Sequence, residues 1–183
     1  MFRSGDVLEN PVTGERIVFR QTSRETNGEL LEYEAHVKPH GVAAYKHLHP
    51  HQEERHEVLS GVLEMTVAGR KERLSPGDVM VVPAGVHHKA SSDGEIHILS
   101  EFRPALRWEE LFETWVGLAR DGKINKRGYP NPLQAAVLAR EYEEEVRAAW
   151  PPLPVQKVLV AMLAPVGKLF GYRAPYVARS GSS

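Results

Sequence analysis

The sequence contains no cysteine among its 183 residues. Disulfide bonds, thiolate metal ligands and a cysteine nucleophile are therefore excluded. A chain without cysteine suits a reducing compartment, and no apolar run resembling a signal peptide is visible near Met1. We therefore expect a cytoplasmic protein.

Long apolar runs and a strong charge of either sign are missing as well. The longest apolar stretch, Val158 to Gly167, is too short to span a bilayer. The formal net charge of −1 gives no general attraction to nucleic acid. We expect neither a transmembrane segment nor a nucleic-acid partner.

Histidine, in contrast, is abundant and unevenly distributed. Six of the nine histidines fall within one short segment: His36, His40, His47, His49, His51 and His56. The remaining three are His87, His88 and His97. Such clustering is typical of a metal site or a catalytic site.

The pattern of the chain changes after Pro104. Before it, short β-branched or alternating segments are separated by Gly and Pro, which predicts a sandwich or barrel. After it, helical spacing predicts three α-helices, at Trp108–Arg120, Pro132–Trp150 and Val155–Phe170. The acidic residues of the second helix are expected on a solvated face: Glu141, Glu143, Glu144 and Glu145. We therefore predict a β domain over 1–103, a helical extension over 104–178 and a disordered tail over 179–183.

The segment around His47 and His49 has the spacing of a metal site. Residues two apart on a strand point to the same side, so both imidazoles can face one point. Pro50 then turns the chain, and a carboxylate a few residues later can return to that point. Imidazole and carboxylate together suit Fe, Mn, Co, Ni, Cu or Zn.

A second segment has a turn followed by histidine. Pro83-Ala84-Gly85 ends one predicted strand, and His87 and His88 open the next. Neighbouring residues of a strand face opposite sides, so only one of these two histidines can point inward.

Taken together, the two segments closely resemble the paired motifs of the cupin superfamily. The first motif is matched by Gly41, His47, His49, Glu54 and Gly61. The second is matched by Gly77, Pro83, Gly85 and His88, with Ser92 where the family pattern has Asn. Only 15 residues, 62–76, separate the motifs, as in compact bacterial cupins.

This resemblance implies a mainly β fold, a double-stranded β-helix or jelly-roll barrel, followed here by about three helices. It implies one divalent transition metal ion (Fe, Mn, Ni, Co, Cu or Zn) inside the barrel. By motif matching its ligands would be His47, His49, Glu54 and His88. The step of six residues to Gly61 favours Glu54 over Glu53, while His51 and His87 are expected outside the site.

His56 lies two residues beyond Glu54 on the same side of the strand. It is either a pocket residue that supports a ligand or carries a proton, or a packed core histidine. Other possible pocket residues, among which the sequence does not choose, are Tyr33, His36, Tyr45 and His97.

The cupin resemblance implies several functions. The ligand set favours a mononuclear non-haem metal enzyme, a dioxygenase-like oxidoreductase acting on a small organic molecule, with Glu54 and His56 as catalytic residues. The alternatives are a metal-dependent isomerase and a non-catalytic cupin that binds a metal or a ligand. Cupin barrels commonly pair, so a homodimer is expected. The apolar surface of 155–173 is expected to pack on the barrel or a second subunit, and the alternatives are a lid or peripheral membrane contact.

Overall fold

The computed structural model describes residues 2–39 and 44–176, without the side chains of residues 44 and 45. The motif residue Gly41, His40, the side chain of Tyr45 and the tail 179–183 lie outside the described part. The strands are β1 Val7–Glu9, β2 Arg16–Gln21, β3 Leu31–Val37, β4 Ala44–Leu48, β5 Glu53–Ser60, β6 Leu63–Val67, β7 Arg70–Leu74, β8 Val79–Val82, β9 His88–Ser91, β10 Ile96–Arg103 and β11 Arg147–Ala148. The helices are α1 Trp108–Arg120, α2 Pro132–Glu141 and α3 Leu153–Leu169.

The strands form two antiparallel sheets. One has the order β1-β2-β3-β10-β5-β8 and the other the order β11-β4-β9-β6-β7. Strands distant in sequence are neighbours in both sheets, as in a jelly roll. The prediction of a mainly β cupin-type fold followed by three helices is confirmed.

Side-chain alternation places the core between the two sheets. Strand β3 alternates strictly, with Leu31, Tyr33, Ala35 and Val37 buried. Strand β10 repeats the alternation between β3 and β5. The core is completed from the second sheet by Leu63 and Met65, which are fully buried. Burial of these apolar side chains is the main stabilisation of the barrel.

Gly61 makes the turn between β5 and β6, and only glycine fits there. Its φ is +81°, in the left-handed region. A Cβ at this position would lie 2.3 Å from the carbonyl oxygen of Glu95. The motif glycine is thus required by a close approach of two backbone segments.

Helices α1 and α2 begin where the sequence predicts, whereas α3 begins at Leu153 rather than Val155 and ends at Leu169 rather than Phe170. The largest difference concerns the end of α2. The N-cap of α2 is Asn131, whose side chain accepts bonds from the backbone N–H groups of Leu133 and Gln134 at 3.1 and 3.0 Å. The predicted end at Trp150 is wrong, because α2 ends at Glu141. Tertiary contacts override helix propensity here, since Arg147 and Ala148 pair with β4 as strand β11.

The acidic run after α2 is therefore only partly a solvated face. Glu143 and Glu144 are exposed, but Glu145 is buried beside the barrel. Burial raises the pKa of the Glu145 carboxyl.

Helix α3 packs on α2. The apolar surface of α3 does not pack on the barrel. Ala164 and Gly167 are buried in the contact with α2, where a Cβ on Gly167 would meet the Leu133 carbonyl at 2.9 Å. Most other apolar side chains of α3 are exposed. None of the helices in the described part of the chain is long and apolar enough to cross a membrane.

Candidate metal centre

The four residues picked out by the motifs come together between the two sheets. His47 on β4 and His88 on β9 are direct register partners. His49 follows β4 immediately, and Glu54 enters from β5 in the opposite sheet. His49, Glu54 and His88 are buried, and His47 is half-buried.

Their polar atoms converge on one point. His47 Nε2 lies 3.0 Å from His49 Nε2. Glu54 Oε2 lies 3.4 Å from His49 Nε2 and 2.8 Å from His88 Nε2. One ligand atom from each residue lies within 4.8 Å of all the others, so this group could hold a metal ion.

The hydrogen bonds of the imidazoles fix which nitrogen faces the centre. His49 Nδ1 lies 2.8 Å from the carbonyl oxygen of Glu145, and His88 Nδ1 lies 3.0 Å from that of Val86. A carbonyl only accepts, so each Nδ1 must carry hydrogen and donate it. In the neutral rings both Nε2 lone pairs therefore point inward, the arrangement of metal-bound histidine.

This arrangement fits a cation and little else. Inward lone pairs and a carboxylate oxygen at these distances repel one another unless a proton or a metal ion lies between them. Glu54 Oε2 and His88 Nε2 are buried atoms that lie 2.8 Å apart but form no hydrogen bond of good geometry with each other or with other groups. Unsatisfied buried polar atoms are rare and here point to a ligand.

The electrostatics of the site keep Glu54 ionised. Burial alone would raise the pKa of its carboxyl, but His56 and the other surrounding histidines outweigh burial and hold that pKa well below 4.5. For His88, burial lowers the pKa, but the adjacent Glu54 outweighs it and leaves the pKa above 6.5. The Glu54 carboxylate thus supplies a negative charge that attracts a cation.

His56 is buried next to the cluster and contacts it directly. Its Nε2 lies 3.2 Å from Glu54 Oε1, the carboxylate oxygen that faces away from the other histidines. Its Nδ1 lies 2.8 Å from Ser100 Oγ. His56 therefore orients Glu54 and also lines the adjoining cavity.

The competing residues of the motif segment lie outside the cluster. Glu53 and His87 are exposed, as alternation along their strands requires. His51 is exposed and pairs with Glu144 at 2.7 Å. Spacing had favoured Glu54 over Glu53, and the structure brings Glu54 to the cluster.

Two of the undecided residues, His36 and His97, lie outside the barrel. They are cross-strand partners whose rings stack at 3.9 Å, with a 2.8 Å contact from His97 Nε2 to Glu34 Oε2. Glu34 is also paired with Arg20 at 2.6 Å. Parallel imidazole rings cannot aim their lone pairs at one ion, so this group is an ion-pair network beside an outer cleft of about 630 Å³.

Ser92, the single departure from the family pattern, has a structural role. Its side chain is buried and its hydroxyl donates to the backbone carbonyls of Val62 and Gly94, at 2.9 and 3.0 Å. The departure therefore ties two turns together and leaves the ligands untouched.

A small, partly open cavity of about 40 Å³ adjoins the four-residue cluster. Glu54, His56 and His88 line this cavity, together with Tyr33 and several apolar side chains. Among the described residues that line it, none is Lys or Arg. The space accommodates a water-sized ligand.

Glu15 also lines this cavity, and nothing in the sequence indicated it. It precedes β2, and burial raises the pKa of its carboxyl to about 7. A single glutamate outside any motif carries no signal in the sequence, so its position beside the cavity is seen only in the folded structure.

The helical extension supplies further contacts that the sequence did not reveal. The Glu145 carbonyl orients His49, and Ala148 pairs with His47 across the β11–β4 ladder. From α1, the Trp108 ring packs on His49 at 5.2 Å and stacks on Phe102 at 4.4 Å. The extension therefore forms one wall of the candidate metal centre.

Comparison with known proteins agrees with this architecture. The family model for the cupin domain matches residues 33–100, the segment that contains the four clustered residues. The match covers 68 of the 183 residues, so this segment of the chain is similar to the cupin domain. No curated protein matches the sequence significantly.

Solved structures share the barrel at low identity. An RmlC-like cupin from Shewanella frigidimarina superposes with a TM-score of 0.51 and 22% identity, covering 57% of this chain and 88% of that one. KdgF from a Halomonas species gives 0.47 and 22%, covering 54% and 86%. A Klebsiella pneumoniae protein with a double-stranded β-helix domain gives 0.43 and 19%, covering 58% and 79%. Likeness at this level concerns the fold and not the reaction.

Proposed function

We propose that this chain is a mononuclear metal enzyme, a dioxygenase-like oxidoreductase acting on a small, uncharged organic molecule. The observation that supports it most is the convergence of three imidazole nitrogens and one carboxylate oxygen beside a small cavity. A divalent transition metal held by His47, His49, Glu54 and His88 would supply Lewis acidity and oxygen chemistry.

Glu54 and His56 are the proposed catalytic residues. Glu54 remains a carboxylate, so it can accept a proton from a substrate group in the cavity. His56 holds the second carboxylate oxygen at 3.2 Å, and its Nδ1 faces Ser100, where it can take up a proton. The pair can thus hold one proton at two defined atoms.

The lining of the cavity constrains the substrate. Two carboxylates, Glu15 and Glu54, face it, and neither Lys nor Arg is among its described lining residues. An anionic substrate such as a phosphorylated sugar would find no lysine or arginine side chain there. We therefore expect a neutral molecule whose reactive group, rather than its whole body, enters the cavity.

The test is oxygen uptake by the full chain loaded with Fe(II), Mn(II) or Ni(II), with phenolic, flavonoid and dicarbonyl substrates. We expect turnover above that of free metal and a loss of at least about 100-fold in Glu54→Gln. Glu53→Gln is the matched control and should retain full activity, because Glu53 is exposed. Equal rates for protein and free metal would contradict the proposal.

A second candidate is a non-catalytic cupin in which metal only orders the barrel. The small cavity volume favours it, because about 40 Å³ holds little more than a water molecule. It predicts a rise in melting temperature on metal addition without turnover of any substrate. A metal-dependent isomerase, the remaining alternative, would convert substrate without consuming oxygen.

The domain boundaries, the oligomeric state and the cellular location of the protein are also part of the proposal. We expect the barrel of residues 1–103, the extension of residues 104–178, a homodimer paired through strands and a cytoplasmic location. Light scattering with size-exclusion chromatography tests the dimer, and a monomer at micromolar concentration would contradict it.

A further inference from the structure

The small cavity beside the candidate metal centre is least enclosed at Glu15. Among the described residues that line this cavity, Glu15 is half-buried and all the others are buried. Glu15 directly precedes strand β2, and alternation places it on the same side of the chain as the buried Ile17 and Phe19. Its carboxyl group therefore faces the inside of the barrel at the point where the cavity is closest to solvent.

The register of the sheet places Glu15 at the rim of the barrel. Arg16 pairs with His36, so the next position on each chain brings Glu15 beside Val37, the last residue of β3. Val37 lines both the small cavity and the outer cleft of about 630 Å³. Gly14 and Arg16, the two chain neighbours of Glu15, also line the outer cleft. Glu15 and Val37 thus form the boundary between the two spaces.

The two spaces differ in size. The small cavity, of about 40 Å³, has room for one functional group, whereas about 630 Å³ lies within the usual range of sites for small organic molecules. A molecule whose reactive group passes Glu15 would therefore leave the rest of its body in the outer cleft.

The outer cleft carries charged side chains of both signs. Arg16, Lys38 and Arg120 supply hydrogen-bond donors, and Glu9 and Glu95 supply acceptors. Arg16 is paired with Glu9 at 3.4 Å, and the remaining charges nearly balance. Hydroxyl groups both donate and accept, so a lining of this kind suits a neutral molecule that carries several of them.

We propose that Glu15 lies at the entrance to the metal centre and that the outer cleft holds the body of a neutral substrate with several hydroxyl groups. This inference rests on the proposed function, because it takes the four-residue cluster as the reaction centre. Burial raises the pKa of Glu15 to about 7, so its carboxyl group is protonated for much of the time at neutral pH. In that form it can donate a hydrogen bond to an acceptor oxygen that passes the rim.

A single cysteine tests the entrance, because the natural chain contains none. We expect methyl methanethiosulfonate, a small neutral thiol reagent, to modify Glu15→Cys at least about tenfold faster than Ala90→Cys, since access controls this reaction. Ala90 is a buried lining residue on β9, in the sheet opposite β2. Mass spectrometry of the full-length chain measures both rates.

Equal rates, or faster modification at position 90, would place the opening elsewhere and overturn the proposal. If Ala90→Cys does not fold, Ala35→Cys replaces it, because Ala35 is another buried residue of the same cavity. Circular dichroism shows whether each variant is folded.

Protection of the cysteine in Glu15→Cys tests the outer cleft. Phloroglucinol, a neutral probe with three hydroxyl groups, should slow the modification of Glu15→Cys at least about threefold. Val81→Cys is the matched control, since Val81 is exposed on β8, and its modification should be unchanged. The probe 3,5-dihydroxybenzoate, in which a carboxylate replaces one hydroxyl group, should protect no better. Stronger protection by this anion, or protection by neither probe, would overturn the assignment of the cleft.

Neither measurement requires turnover, so failure of this proposal is distinguishable from failure of the proposed reaction. A chain that is modified and protected as expected but consumes no oxygen would keep the entrance and the cleft and lose the oxygenase assignment.

Discussion

The barrel and the helical extension contribute to the same candidate site in different ways. The barrel supplies all four clustered residues, and their spacing in the sequence marks them. The extension supplies the Glu145 carbonyl, the β11 ladder and the Trp108 ring, none of which has a motif. The candidate ligands can therefore be found from local sequence, whereas the contacts that support them depend on the tertiary structure.

Replacing a barrel ligand should have the largest effect on the site. We expect His88→Ala to weaken binding of Mn(II) or Co(II) by more than about 100-fold, because it removes an inward Nε2. His87→Ala is the matched control, since its exposed neighbour should bind metal normally. Isothermal titration calorimetry measures both, and equal affinities would refute the assignment of His88.

Replacing a side chain of the extension that supports the site should lower metal affinity less than replacing a candidate ligand does. It should lower the stability of the fold to a similar extent. We expect Trp108→Ala to lower metal affinity by about 10–100-fold, because its ring positions His49. It should also cost about 3 kcal/mol of unfolding free energy.

The control for this variant is Trp115→Ala on the same helix. Trp115 packs against the hydrophobic cluster of the extension, whereas Trp108 packs against both that cluster and the barrel core. Trp115→Ala should lower the free energy of unfolding by a comparable amount and leave metal affinity unchanged. If both variants lowered affinity equally, the extension would act on the site only through global stability.

The pH dependence of stability tests a residue of the barrel that has no motif. Burial raises the pKa of Glu15 to about 7 from 4.5, so the folded chain binds the proton more tightly than the unfolded chain. Its contribution to stability is largest below pH 4.5 and is lost as pH rises through about 7.

Glu15→Gln should therefore flatten the fall in stability between about pH 5 and about pH 8. Urea unfolding at several pH values measures this slope for both chains. A variant slope as steep as that of the natural chain would show that another group is responsible.

Replacing Ser92 should have the smallest effect on the stability of the fold. Ser92→Ala removes the donor to Val62 and Gly94 and should cost about 1 kcal/mol. Ser91→Ala, at an exposed neighbour, should be close to neutral. A metal affinity altered by Ser92→Ala would mean that the turn also positions His88.

The contrast between local motifs and tertiary contacts explains which features could be predicted from the sequence. The alternation of apolar residues along β3 marks its buried side in the sequence, and Gly61, which makes the turn after β5, is one of the matched motif positions. The predicted end of α2 is wrong because the chain turns at 142–145 and Arg147 and Ala148 then pair with β4. His56 could be placed near Glu54 by alternation, but its bonds to Glu54 and Ser100 depend on the packing of β5 against β10.

The metal content of the purified chain tests the central claim most directly. After loading with each candidate divalent ion and removal of the excess, elemental analysis should find about one ion per chain for at least one metal. The same measurement on His88→Ala should find almost none, and on His87→Ala about one. A natural chain that retains no ion under any loading condition would contradict the claim that His47, His49, Glu54 and His88 form a metal site.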